Sequence, residues 1–152
     1  MEKLTDLIEE LDNYIPKLEN KNPEISESSV GWHIEHSLLA INNIVSALND
    51  SDPDKYKWKF NPIRTLVLTM NKIPRGKGKA PEIVIPDNNI NSEKLKTHIQ
   101  NSFEKISVID SLNPDNYFDH PFFGKLNLKP AKKFIIIHTK HHLNIIKDIL
   151  KK

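Results

Sequence analysis

Four stretches of the chain repeat apolar residues at intervals of three and four positions, and loops containing proline separate them. They cover approximately residues 4–15, 26–49, 91–109 and 129–150. This spacing is typical of amphipathic helices that bury one face. The sequence therefore predicts an all-α fold, in which four helices pack as an antiparallel four-helix bundle with at least one long crossover.

The segment between the second and third helices has a different composition. Five prolines and two glycines lie between residues 51 and 91, and this density excludes a long helix. One short extra helix is predicted at about residues 63–71, and residues 82–85 are the best candidate for an extended strand. We expect the remainder to be a Pro-rich crossover that wraps the bundle, and residues 112–128 to form turns.

Length and composition limit the class of protein. A chain of 152 residues is expected to form a single domain over residues 1–152. Because it has no cysteine, disulfides, thiolate metal ligands and a cysteine nucleophile are excluded. A net charge of +2 gives no general case for nucleic acid as a partner. Without an apolar run of roughly 18 residues or a signal-peptide core, we expect no membrane association and a cytoplasmic location.

Two histidines replace apolar residues in the buried stripe of the fourth helix. His138 and His142 lie one helical turn apart, in line with Ile135 and Ile145. A buried imidazole without a partner costs about 1–3 kcal/mol, so each ring needs a hydrogen-bonding group or a metal ion. Neutral imidazoles at positions i and i+4 can bind one divalent ion. The spacing alone is equally compatible with a metal site and with two internally hydrogen-bonded histidines.

The second helix carries another histidine pair, His33 and His36, and periodicity does not decide which of them faces the fourth helix. Glu35, between them, is expected to face solvent and is a weak candidate for a general base. The pair in the fourth helix lacks the glutamate that follows the first histidine in zinc proteases. The chain also lacks the Glu-x-x-His motif of di-iron bundles. A mononuclear site with two or three histidine ligands remains.

The motifs Ser29-Val30-Gly31-Trp32-His33-Ile34-Glu35-His36 and His138-Thr139-Lys140-His141-His142 resemble those of the DinB/YfiT-like superfamily of metal-dependent enzymes. The segment at residues 120–126 resembles an uncharacterised branch of it. The resemblance spans about residues 26–149 and implies a four-helix bundle in which His36, His138 and His142 hold zinc, nickel or iron. It also implies a thiol-dependent transferase or a hydrolase that acts on a small-molecule substrate, with a low-molecular-weight thiol as partner.

Four further residues are predicted in or around this pocket: His33, His120, His141 and Asn144. Relatives carry Arg-Gly-Gln after the last histidine, or a glutamate two places on, and Asn144 stands at the latter position here. Asn144 is therefore one candidate for orienting His142, and the alternative is that no residue does so. His98 is expected to be solvated. The aromatic residues at positions 56, 58 and 60 are expected to press onto the bundle.

Two functions from different classes fit these observations. The first is a metal-dependent enzyme with a three-histidine site. The alternative is a non-catalytic helical bundle, a binding or dimerisation module that associates as a homodimer and whose histidines are hydrogen-bonded internally. The metal content of the purified protein distinguishes them.

Overall fold

The computed structural model describes residues 3–76 and 78–151. The protein is mostly helical, and each of the predicted helices is confirmed with bounds that differ by a few residues. The helices within these ranges are α1 (Leu4–Asn13), α2 (Val30–Asp50), α3 (Pro62–Met70), α4 (Ser92–Ser107) and α5 (Leu128–Leu150). α3 is the short extra helix expected inside the crossover.

Side chains that accept hydrogen bonds from the first turn determine where three of the helices begin. Ser29 Oγ accepts from the backbone N–H three residues further on, at 3.1 Å, and so starts α2. Asn61 and Asn91 accept in the same way at the start of α3 and α4, both at 2.9 Å. The serine cluster that predicted the second helix therefore supplies its cap.

Four helices bury a common apolar interior. α2 packs against α4 and α5, and α1 packs against the same two helices. Fully buried side chains from these contacts include Leu7, Ile34, Leu38, Ile135 and Leu143, and burying each contributes about 1.5–3 kcal/mol. α3 lies against α5. In the described part of the chain, none of the helices has both the length and the apolar character needed to cross a bilayer.

The prediction of an all-α fold is wrong at residues 112–128. Tyr117–His120 (β1) and Gly124–Asn127 (β2) form an antiparallel hairpin. Gly124 has a φ of +65°, a conformation that glycine adopts without strain. The opposed residues Phe118 and Leu126 are both buried, because β1 packs on α2 and β2 on α5.

The prediction of a strand at residues 82–85 is also wrong. Glu82–Val84 forms one turn of 3₁₀ helix, in which the N–H of Val84 donates to the Pro81 carbonyl at 3.1 Å. Val84 is buried, whereas Ile83 and Ile85 on either side of it are exposed. A strand is stable only with a hydrogen-bonded neighbour, and the turn packs on α2 instead.

Gly31 lies where α2 passes close to the preceding loop. A Cβ added there would lie 3.0 Å from the Leu18 carbonyl oxygen and 3.1 Å from Ile90 Cγ2. Because that oxygen belongs to the backbone and accepts the Gly31 N–H at 2.8 Å, we expect Gly31→Ala to lower the free energy of unfolding by about 1–3 kcal/mol. Urea denaturation measures the change.

Gly78→Ala is the matched control for this substitution. Its added Cβ would come no closer than 3.9 Å to a neighbouring atom, so its stability should be unchanged or slightly raised. An equal loss of stability in both variants would contradict the close approach at Gly31.

Candidate metal centre

His36, His138 and His142 meet between α2 and α5. One ring nitrogen of each lies within 4.8 Å of the corresponding nitrogens of the other two, which is close enough for all three to hold one metal ion. His36 and His142 are buried, and His138 is partly buried. The structure therefore brings together the three residues that the family resemblance implies as ligands. We call them the histidine cluster.

The separation of two of these nitrogens fits a shared ion. His36 Nε2 and His138 Nε2 are 3.2 Å apart. Two nitrogens bound at about 2.0–2.1 Å to a tetrahedral ion lie about 3.3 Å from each other. This pair therefore already has nearly the separation that a shared ion requires. Without an ion, one of these nitrogens donates a hydrogen bond to the other.

The backbone fixes the orientation of His36. Its Nδ1 lies 2.7 Å from the Val84 carbonyl oxygen and donates to it. A neutral imidazole with its proton on Nδ1 keeps a lone pair on Nε2. Metal-binding histidines use the same contact, because donation from the second nitrogen fixes the tautomer and the angle of the ring. The 3₁₀ turn that carries Val84 therefore presents His36 Nε2 to His138.

His33 contacts His142 and has a different role from His36. The Nδ1 atoms of the two rings are 2.9 Å apart, and His33 Nε2 lies 3.0 Å from Ser26 Oγ. If His142 uses Nε2 as a ligand, its Nδ1–H donates to His33 Nδ1, and His33 Nε2–H in turn donates to Ser26. The spacing did not decide between His33 and His36. In the structure His36 lies in the cluster, and His33 contacts His142 and orients it.

Burial lowers the pKa of the histidines in this region. It lowers the pKa of His33 to about 4, and it lowers the pKa of His138 and His142 well below the ordinary 6.5, with nearby histidines acting in the same direction. The pKa of His36 is also lowered by burial, although its bond to Val84 opposes the shift. The cause is the loss of hydration of the charged ring. At neutral pH these rings are uncharged, which is the form that binds a metal ion.

Trp32 covers one side of the cluster. Its indole stacks on His36, with ring centroids 4.9 Å apart and an angle of 14° between the planes. It also lies 6.4 Å from His142, centroid to centroid. Because Trp32 is partly exposed, its ring separates these imidazoles from bulk water and should report on events at the cluster through its fluorescence.

His120 lies near the cluster without joining it. Its Nδ1 accepts hydrogen bonds from two backbone N–H groups of the hairpin turn, at 3.1 and 3.2 Å, and its ring stacks on Phe123 at 4.0 Å. Phe134 contacts both His120 and His138, with centroids 5.0 and 5.7 Å away. Burial lowers the pKa of His120 to about 4. This histidine therefore organises the hairpin turn beside the cluster.

His141 and Asn144 have different positions. The His141 ring is partly buried beside His142, with centroids 5.0 Å apart. Asn144 is exposed and lines a surface depression with Leu7 and Glu10 of α1. Asn144 therefore does not take its expected place beside the last imidazole, and His33 makes the orienting contact instead.

Glu35 is buried, contrary to the expectation that it faces solvent. Only 1% of its side chain is exposed, and its Oε2 lies 2.9 Å from His98 Nδ1. Its other oxygen lies 3.5 Å from Lys94 Nζ. Because both partners belong to α4, Glu35 faces α4 and is not positioned to act as a base at the cluster. The expectation that His98 is solvated is also wrong, because its side chain is only 22% exposed and contacts Glu35.

Comparisons of the chain with protein-family models, with curated proteins and with solved structures found no match. Membership of the DinB/YfiT-like superfamily stays a prediction that rests on the motifs and their order. The geometry of the three histidines stands independently of it.

Proposed function

We propose that this protein is a metal-dependent enzyme built on a DinB-like four-helix bundle of α1, α2, α4 and α5. The observation that supports it is the convergence of one nitrogen each from His36, His138 and His142 within 4.8 Å. All three rings are neutral at physiological pH, because burial lowers their pKa. The proposed ion is divalent zinc, nickel or iron, each of which imidazole nitrogen can bind.

Three protein ligands suit a catalytic site better than a structural one. Structural zinc sites use four protein ligands, whereas catalytic sites use three and leave a position for substrate. A bound ion supplies Lewis-acid chemistry, which polarises a substrate group or lowers the pKa of a thiol. His138 is partly exposed, so a small molecule can approach from its side. We propose a thiol-dependent transferase or a hydrolase that acts on a small molecule.

Two neighbouring groups orient the rings of the histidine cluster. The Val84 carbonyl fixes His36 at 2.7 Å, and His33 fixes His142 at 2.9 Å. Such supporting contacts hold ligands in a productive arrangement before binding, and their loss typically weakens metal affinity by about 10–100-fold. Trp32 on one side and Phe134 on another exclude water from the rings.

Metal analysis of protein purified without a histidine tag tests the ion. We expect about one equivalent of zinc, nickel or iron per chain, because the cluster holds one ion. The loaded protein should also accelerate transfer of glutathione to 1-chloro-2,4-dinitrobenzene or hydrolysis of p-nitrophenyl acetate, and His142→Ala should abolish the acceleration. A metal-free protein that also binds no added Zn²⁺, Ni²⁺ or Fe²⁺ would contradict the proposal.

Two contacts favour a second candidate, the non-catalytic binding or dimerisation module. The pairs His33–His142 and His36–His138 can each share one proton at 2.9 and 3.2 Å, which satisfies the rings without an ion. If this candidate is right, added Zn²⁺ leaves the melting temperature unchanged. A rise in melting temperature that depends on Zn²⁺ concentration supports the metal site, because a ligand stabilises only the state that binds it.

A further inference from the structure

A surface cavity of about 310 Å³ lies between the crossover, α3 and the hairpin. Its lining includes Tyr56, Trp58, Arg64 and Lys125, and it contains no member of the histidine cluster. The volume is at the lower end of the range for small-ligand sites. This cavity is therefore separate from the histidine cluster.

Arg64 forms one wall of the cavity and is buried, with 6% of its surface exposed. Its Nη1 donates to the carbonyl oxygens of Phe123 and Lys125 at 3.2 and 3.1 Å, and its Nη2 donates to the carbonyl oxygen of Lys59. Three of the five N–H donors of a guanidinium are used in this way. The backbone therefore holds the guanidinium in a fixed orientation, and two donors remain.

Neither cation of this cavity has an acidic partner. The ion pairs within 4.0 Å among residues 3–76 and 78–151 include none for Arg64 or Lys125. The Lys125 ammonium instead lies 4.5 Å from the centre of the Tyr117 ring. Asp115 is an acid at the cavity edge, and it accepts a hydrogen bond from Asn127 at 3.3 Å. Asp119 stands opposite Lys125 in the hairpin register, but it is not within 4.0 Å of the Lys125 ammonium. An anionic group that enters the cavity can therefore form a charge-assisted hydrogen bond with either cation.

Aromatic rings stand next to these cations. The guanidinium carbon of Arg64 lies 6.0 Å from the Trp58 ring, and Tyr56 lies 6.0 Å from Tyr117, centroid to centroid. The expectation that the aromatic residues at positions 56, 58 and 60 press onto the bundle is wrong for Trp58 and Phe60, each of which is 67% exposed. An exposed flat ring beside a cation is a surface on which another flat ring can stack.

We propose that this cavity binds a small organic anion that carries a flat ring, such as an aryl phosphate or an aryl carboxylate. Arg64 and Lys125 bind the anionic group, and Tyr56 and Trp58 contact the ring. The inference goes beyond the proposed metal function and does not depend on it, because the two sites share no residue.

Titration with phenyl phosphate, inorganic phosphate and phenol, followed by the backbone amide signals in ¹H–¹⁵N NMR spectra, tests the proposal. We expect phenyl phosphate to shift the signals of Thr65, Leu68 and Asn127, which line the cavity. Its dissociation constant should be at least about tenfold lower than that of either fragment, because both the anion and the ring contribute. Equal affinity for inorganic phosphate, or no shift at these residues, would overturn the proposal.

Lys125→Met removes the positive charge of the side chain and keeps an unbranched apolar chain in its place. Loss of one charge-assisted hydrogen bond should raise the dissociation constant of phenyl phosphate by about tenfold. Lys129→Met is the matched control, since Lys129 is exposed at the start of α5 and does not line the cavity. The proposal fails if the two substitutions weaken binding equally.

Discussion

His138→Ala should lower the affinity of the protein for Ni²⁺ or Zn²⁺ by at least about 100-fold and reduce the bound metal from about one equivalent to almost none. His138 Nε2 lies 3.2 Å from His36 Nε2, so its loss removes one of three ligands. Loss of a merely supporting contact already weakens binding by about 10–100-fold. The fold should be retained, because alanine favours helix and His138 is only partly buried.

Trp32 provides the readout for this experiment. Its ring stacks on His36 at 4.9 Å, so bound Ni²⁺ should quench its emission. The chain contains two tryptophans, and a Trp58→Phe background leaves Trp32 as the only source of the signal. Titration of this background with Ni²⁺ gives the affinity, with and without His138→Ala.

His98→Gln is the matched control. It removes a histidine that lies outside the cluster and keeps a donor for Glu35, which accepts from His98 Nδ1 at 2.9 Å. This variant should bind Ni²⁺ like the parent protein. If His138→Ala binds one equivalent with unchanged affinity, the three-histidine site is refuted.

Acidification should destabilise the metal-free protein strongly. Burial lowers the pKa of His33 and His120 to about 4, whereas in the unfolded chain a histidine titrates near 6.5. Between these values the unfolded state binds more protons than the folded state, so the free energy of unfolding falls as the pH falls. His33 alone contributes up to about 3 kcal/mol over this window. Urea denaturation with a chelator at intervals between pH 7 and 4.5 measures the decline.

Two comparisons identify the source of this decline. His120→Gln removes one depressed group and should make the profile between pH 6.5 and 4 shallower. Saturating Zn²⁺ should move the onset of the decline to lower pH, because the ion competes with protons for the ring nitrogens of the cluster. A flat profile in the metal-free protein would show that these histidines are not buried in the neutral form.

The sequence was sufficient to locate the helices because their positions follow from local rules. Intervals of three and four determine the buried stripes, and Ser29, Asn61 and Asn91 mark three of the starts. The hairpin was missed because each of its strands has only four residues. Such short strands are stabilised by packing against α2 and α5, which no local pattern reveals.

At the histidine cluster, too, local spacing predicts some contacts, and tertiary packing determines the others. Residues four apart on one helix share a face, so His138 and His142 could be paired from spacing alone. His33 and His36 are three apart and both contact histidines of α5, which is why periodicity could not choose between them. The prediction for Glu35 was wrong because α2 packs against both α4 and α5. A polar residue on the side of α2 that faces away from α5 is therefore buried against α4. Its hydrogen bond with His98 joins residues 63 positions apart.

The residues of the histidine cluster come from two helices, with His36 and His138 separated by 102 positions in the chain. An ion bound to them would cross-link α2 to α5 and close a loop of that length. Local opening events that separate these two helices would then require release of the ion, so amide hydrogen exchange would slow in both helices together. A protease cut in the crossover would likewise leave the two helices attached to each other as long as the ion stayed bound.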